Sequence, residues 1–332
     1  MKLSLLIPIY NCASFLGNSL SSLLQDIDKD IELLISDDCS TDHSVEIIKS
    51  FQSDQITLFE QKKNLGYLKN MNFLFSQVKT DYIALLDADD WCDNDRFEKQ
   101  LSFLQNNLEY DIVGTSTALT GPKGIIYRIN HFPEKHEDFV KQISFSGVPM
   151  LQNTIMFHKK VLETIGGYRE WFNRIGAEDA DWIMRAVSAG FKVGNISNSF
   201  YYYRQHATSV TSLKRTEEHF IKYRQYSTQV AYFLYTQRQD REKDALERQN
   251  ESEIDDFIQT MPRHQGSDPS IVIADKLITS YNTKTLLSFL KVAFNLTVIN
   301  CLKFSLYLAY IRFIKMFILK NFYYRFKFRK TH

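Results

Sequence analysis

The first 86 residues alternate between two hydrophobic periods, and that alternation limits the fold more than any other feature of the chain. Leu3–Ile9 is a short β-compatible apolar run, and after a polar break Phe15, Leu16, Leu20, Leu23 and Leu24 recur at helical spacing. The same change repeats along the chain. Residues 31–35, 56–59 and 82–86 read as strands, while 45–51 and 68–78 read as helices. Strands separated by helices imply crossover connections and a parallel sheet. From 111 to 212 the pattern is more mixed, with strands expected near 112–115, 125–129 and 154–157 and a helix across 180–189.

In sheets of this kind ligands gather beyond the carboxyl ends of the strands. Three of the expected strand ends carry polar clusters: Tyr10-Asn11, Asp37-Asp38, and Asp87-Ala88-Asp89-Asp90. Three carboxylates at the mouth of a buried strand repel one another unless a cation compensates them. Oxygen ligands of this type suit Mg²⁺ or Mn²⁺, which share their coordination with phosphates. The alternative is a solvated acidic turn, because Asp also favours turns and helix starts. The Asp37-Asp38 pair has the same two readings: a carboxylate that accepts a hydrogen bond from a base N–H, or part of a helix cap formed with Ser40, Thr41 or Asp42.

At 332 residues the chain has room for one sizeable α/β domain and an appendage, since domains usually run to about 100–200 residues. Its net charge of +1 argues against a nucleic-acid binder with a broad basic surface. The charge is unevenly placed. From Lys276 to His332 there is no Asp or Glu, while Lys and Arg recur among Phe, Leu, Ile and Tyr. The four cysteines, Cys12, Cys39, Cys92 and Cys301, show no CxxC pairing and no His at metal-ligand spacing, so reduced thiols are expected. The apolar stretch at the amino end is too short for a signal-peptide core.

Taken together, IPIYN, SDDCSTD, NLGYLKNMN, ALLDADDW and GAEDADWIMR resemble, in order and spacing, the family-two glycosyltransferases of GT-A fold. The resemblance covers roughly residues 1–212. It implies an α/β fold: a Rossmann-like nucleotide-sugar-binding domain with a largely parallel mixed sheet, followed by a helical region over 213–332. It also implies a nucleotide-diphosphate sugar donor, commonly a UDP-sugar, with Mn²⁺ or Mg²⁺ bridging the diphosphate and inversion at the anomeric centre. By position Asp38 matches the family's uracil-binding Asp, and Pro8 and Tyr10 line the same base pocket. Asp87 and Asp89 match the DxD pair, with Asp89 the direct metal ligand and Asp90 a second candidate. One position departs from the pattern: the family's Arg-Asn is here Lys69-Asn70, which replaces a planar fork by a point charge directed at a phosphate.

Inversion needs a base within hydrogen-bond reach of the acceptor hydroxyl. The resemblance gives that role to Asp179, whereas spacing alone also allows Glu178-Asp179 to be first-turn helix acids. Tyr201-Tyr202-Tyr203-Arg204-Gln205-His206-Ala207-Thr208-Ser209 resembles the segment that closes the catalytic domain, which makes Arg204 and His206 candidates for the metal-diphosphate site.

The basic apolar stretch 286–328 is interrupted by Lys and Arg too often for the roughly 20 apolar residues of a spanning helix. Helices lying on an anionic membrane surface fit it better, with a packed appendage or dimer contact as the alternative. The expected protein is therefore a cytoplasmic enzyme, peripheral on the inner face of the cell membrane, acting on a glycan or polyprenyl-linked glycan acceptor. The competing expectations are a sugar nucleotidyltransferase, for which no Gly-rich phosphate loop follows the first strand, and a non-catalytic membrane-bound scaffold.

Overall fold

In the computed structural model the alternating segments become β1 (Leu3–Ile9), α1 (Ala13–Asp26), β2 (Ile31–Asp37), α2 (Ser44–Ser50), β3 (Ile56–Glu60), α3 (Tyr67–Gln77) and β4 (Tyr82–Leu85). The structure describes residues 2–206 and 223–261. Strands β1, β2, β3 and β4 are parallel, with β2 and β4 on either side of β1. Leu5 and Leu33 are buried on one face of the sheet and Leu6 and Leu34 on the other, because both faces are covered.

The chain then forms β5 (Trp91–Cys92), α4 (Asp95–Asn106), β6 (Ile112–Thr120), β7 (Ile126–Asn130), α5 (His136–Gln142), β8 (Met156–His158), α6 (Lys159–Ile165), α7 (Glu178–Ser188) and β9 (Val193–Arg204). The sheet runs β3-β2-β1-β4-β8-β6-β9-β5, with β7 paired to β6. Strand β8 is antiparallel to both neighbours, and β6 and β9 are parallel to each other, so the sheet is mixed as expected. The strand expected at 154–157 begins two residues later, because Gln152–Thr154 is a single 3-10 turn. The helix expected at 180–189 is α7 and starts earlier, at Glu178.

Two further helices, α8 (Ser227–Asp240) and α9 (Ser252–Thr260), lie in the region that the sequence reading set apart as beginning at 213. They belong to the compact unit Met1–Met261, where Val230, Leu234, Ile254 and Ile258 are buried in the same apolar cluster as Trp182 and Ile183 of α7. A buried ion network reinforces the packing of α8 on α7. Asp181 pairs with Arg169 and Arg185, while Asp244 accepts from Arg169 Nη1 at 2.7 Å and pairs with Arg238 of α8. Both aspartates are fully buried. Removing one partner of such a network strands a charge in the interior. Asp244→Ala is therefore expected to lower the unfolding free energy by about 3–5 kcal/mol in a urea titration, whereas an unchanged midpoint would mean that solvent already reaches Arg169 and Arg238.

Among the described residues no helix is long and apolar enough to cross a membrane. The expected basic membrane-associating stretch, and Thr208 and Ser209 of the closing motif, lie outside the described residues.

Candidate active site

The parallel register places the ends of β1, β2 and β4 on one edge of the sheet. Ile9 pairs with Asp37 and Leu6 with Leu85, so the loops carrying Tyr10, Asp38 and Asp87 leave in the same direction. Beyond β4 the chain turns tightly, with Asp90 N donating to Asp87 O at 3.2 Å, and ligand oxygens of Asp87, Asp89 and Asp90 lie within 4.8 Å of one another.

Each of the three carboxylates has a different environment. Asp89 Oδ2 lies 3.0 Å from His206 Nε2, and Arg204 Nε donates to the Asp89 carbonyl at 2.9 Å. Asp90 is 1% exposed, and both of its oxygens are engaged by protein donors, Tyr201 Oη at 2.7 Å and Arg204 N at 2.7 Å. Asp87 Oδ2 accepts from Asn153 Nδ2, a residue of the 3-10 turn before β8. Burial first, and then the charges of Asp89 and Asp90, push the Asp87 carboxyl well above the usual range. Burial and the Asp89 charge push Asp90 up to about 8. Hard oxygen donors crowded so closely fit a divalent cation, which would relieve the repulsion between them.

Arg204 and His206, two residues apart at the end of β9, thus both reach Asp89. The Arg204 guanidinium is sandwiched between Phe15 (4.8 Å to the ring centroid) and Trp91 (4.6 Å), and the His206 ring lies 4.6 Å from Phe15. Stacking on two rings fixes the cation without neutralising it.

Asp38 is buried and accepts backbone N–H groups from Leu65 at 2.6 Å and Gly66 at 2.8 Å, so it fixes the loop that leads into α3. Pro8 is half-buried and Tyr10 is exposed beside it. None of Ser40, Thr41 and Asp42 is the cap residue of α2, which is His43; Asp42, one residue earlier, accepts from Ser44 N and from Ala13 N and so ties the starts of α2 and α1 together. Lys69 forms an ion pair with Glu170 at 3.2 Å on an exposed surface, so a phosphate would have to compete with Glu170 for it.

Glu178 and Asp179 open α7 after Ala177, whose φ of +66° turns the chain sharply into the helix. Asp179 Oδ1 accepts from Ala180 N at 2.7 Å. Burial and the neighbouring Asp179 charge push Glu178 up to about 7, and burial raises Asp179 as well. This acidic pair and the Asp87 cluster share one neighbourhood. Burial first, and then Asp87, Glu178 and Asp179, raise the phenols of Tyr67 and Tyr168, and Asp179 adds to the upward shift of Asp87.

The sequence reading did not include Asn153, Tyr201 as the partner of Asp90, or the sandwich of Phe15 and Trp91. Asn153 stands 66 residues from Asp87, and no local pattern marks it. The DxD-adjacent Trp91 and the aromatic run before Arg204 were visible signals for the sandwich.

The described fold has solved counterparts. S. aureus TarS residues 1–349 in complex with UDP-GlcNAc aligns with a TM-score of 0.57 at 20% identity, covering 71% of this chain and 67% of that one. The mannosyltransferase PcManGT from Pyrobaculum calidifontis in complex with GDP-Man and Mn²⁺ aligns with a TM-score of 0.51 at 14% identity, covering 87% and 83%. Fold and acid-tipped strands together define a GT-A type protein. The family model Glycosyl transferase family 2 matches residues 4–166. Putative glycosyltransferase EpsE of Bacillus subtilis is 32% identical over 61% of this chain and 73% of its own length. The glucosyltransferase WfaP of Escherichia coli, named for UDP-Glc and GlcNAc-diphosphoundecaprenol, is 28% identical over 64% and 81%. The chain belongs to glycosyl transferase family 2, and it is a glycosyltransferase.

Proposed function

We propose that the chain is an inverting glycosyltransferase that moves a sugar from a nucleotide-diphosphate donor, a UDP-sugar, to a hydroxyl of a glycan or polyprenyl-linked glycan in surface polysaccharide synthesis. The observation that carries this reading is the pairing of two acidic groups in one neighbourhood: a cation-type cluster with Arg204 and His206 on one side, and Glu178-Asp179 on the other. The names of the relatives support the substrate class, since WfaP is named for a UDP-sugar and a polyprenyl-linked acceptor.

In this reading Pro8, Tyr10 and Asp38 border the base. Asp89 and His206, with Asp87 beside them, would hold Mn²⁺ or Mg²⁺. Asp90 holds Tyr201 and the Arg204 backbone in place. A bound divalent ion would offset the charge of the departing diphosphate. Arg204 adds a fixed positive charge on the same side. Asp179 takes the proton of the acceptor hydroxyl as it attacks. The acid-free stretch from 276 onward would keep the enzyme on an anionic membrane surface at the cytoplasmic face. Family membership disfavours a nucleotidyltransferase, and the presence of both Asp89 and Asp179 disfavours a scaffold without turnover.

The reading is tested with purified protein and a panel of nucleotide sugars, following metal-dependent release of the nucleoside diphosphate. Release from one or a few donors only in the presence of Mn²⁺ or Mg²⁺ is expected. No release from any donor would count against an active transferase.

The pH dependence follows from the raised carboxyls. The base must be unprotonated to act, and Asp179 and Glu178 sit above the ordinary carboxylate range, the latter at about 7. Turnover at saturating donor is therefore expected to rise with pH along an acid limb that lies above the ordinary carboxylate region. An acid limb near pH 4, about where an ordinary Asp titrates, would place the base elsewhere.

A further inference from the structure

The hairpin of β6 and β7 carries an apolar surface that the chemistry above leaves unused. Ile125 is 71% exposed, Ile126 48%, Tyr127 56% and Ile129 46%. Alternate residues of a strand face opposite sides, so both faces of β7 are bare. Among the described residues β7 pairs with β6 alone. An exposed apolar edge strand invites association and is ordinarily blunted with charge or covered.

The charges that are present have one sign. Lys123 and Arg128 are both exposed, and there is no Asp or Glu between Asp111 and Glu134. The hairpin is also tied to the mouth of the candidate active site. Tyr127 Oη donates to Gln205 Oε1 at 2.6 Å, one residue before His206. The tight turn brings Gly124, at a φ of +77°, so close to the Trp91 ring that a Cβ there would lie 3.5 Å from it.

We propose that the hairpin over 121–130 is a membrane-docking wedge, which sets its isoleucines and Tyr127 into an anionic lipid surface immediately beside the active-site mouth. The inference rests on the reading of the acceptor as lipid-linked. A polyprenyl-linked glycan leaves the bilayer at its sugar end, so a mouth that is to receive it must be held close to the surface, and a wedge bordering the mouth does this. Charge selects the occupant. A second copy would present the same positive hairpin, and the acid-free stretch from 276 to 332 is positive too, so both are repelled. A layer of anionic headgroups attracts Lys123 and Arg128 and admits apolar side chains to the depth of the headgroup boundary.

The test uses the full-length chain carrying Ile126→benzoylphenylalanine, irradiated with vesicles of phosphatidylglycerol and phosphatidylcholine, or of phosphatidylcholine alone. A lipid adduct at position 126 is expected with the anionic vesicles, about tenfold less with the neutral ones, and about tenfold less again when Ile129→Asp is added. Metal-dependent release of UDP from the donor in solution should be the same with and without Ile129→Asp. Adducts to a second copy, or no lipid adduct although the protein sediments with the vesicles, would overturn the wedge. If the lipid adduct forms but no donor is turned over, the glycosyltransfer reading fails and the wedge stands. If donor is turned over with no lipid adduct, the wedge alone fails.

Discussion

Asp179→Asn is expected to lower sugar transfer by about 10²-fold or more while leaving donor affinity nearly unchanged. That loss corresponds to about 2.7 kcal/mol or more of transition-state stabilisation. The substitution is close to isosteric. The side-chain oxygen that accepts from Ala180 N can be kept, so the start of α7 should hold its shape. What is lost is the ability to take a proton. Metal-dependent UDP affinity by calorimetry and turnover with a saturating acceptor must therefore separate. If both fall together, Asp179 is holding the donor and its role as base is wrong. A neighbouring substitution sharpens the assignment: the Asp179 charge raises Glu178 while burial raises Asp179, so Glu178→Gln should leave the acid limb of the rate profile in place, and a limb lost with Glu178 would make Glu178 the base.

The first half of the sheet was legible because its elements obey their periods. Residues 3–9, 31–35 and 82–86 are apolar runs covered on both faces, 56–59 is a half-buried edge strand, and the helices between them carry apolar residues toward the sheet. Helix α4 was not legible, and the reason is physical. At its core-facing positions it buries Arg96 and Gln100, both fully inaccessible, beside Phe97 and Leu104. Arg96 satisfies the carbonyls of Leu85 and Asn153, and Gln100 those of Val113 and Thr154, so polar side chains occupy an apolar stripe and hide it from a periodicity search. The same two residues connect α4 to the strand and turn that hold Asp87 and Asn153.

The site was legible in part. Strand ends pointed to Asp87, Asp89 and Asp90, because parallel strands deliver their carboxyl ends to one edge whatever lies between them, while Arg204 and His206 were candidates through the family resemblance alone. Pairings across long sequence separation were not legible. Asp90 with Tyr201 and Asp87 with Asn153 depend on how β9 and the turn before β8 return to the edge, and no local pattern encodes that return. The contribution of 223–261 was hidden similarly. Asp244 reads as one more charge in a charged segment, yet it is fully buried between Arg169 and Arg238, against the helix that carries Asp179.

Asp89→Asn is expected to abolish metal-dependent binding of the donor nucleotide and leave the fold intact. The reason lies in how the three carboxylates are held. The Asp89 side chain is 29% exposed, and its carboxylate meets His206 at the mouth of the site. Losing its charge removes a cation ligand and disturbs no core contact. Asp90 is the opposite case. Its oxygens accept from Tyr201 Oη and from Arg204 N, so Asp90→Asn sets an amide N–H₂ against one of these donors. That change is expected to cost about 1–3 kcal/mol of stability, in addition to any effect on the cation. Calorimetry with UDP and Mn²⁺, beside urea unfolding of each variant, separates the two. Asp89→Asn should lose the Mn²⁺-dependent heat and keep the wild-type midpoint, while Asp90→Asn should lower the midpoint. Undiminished Mn²⁺-dependent affinity in Asp89→Asn would move the cation to other residues, and a wild-type midpoint in Asp90→Asn would mean that Tyr201 and Arg204 do not depend on it.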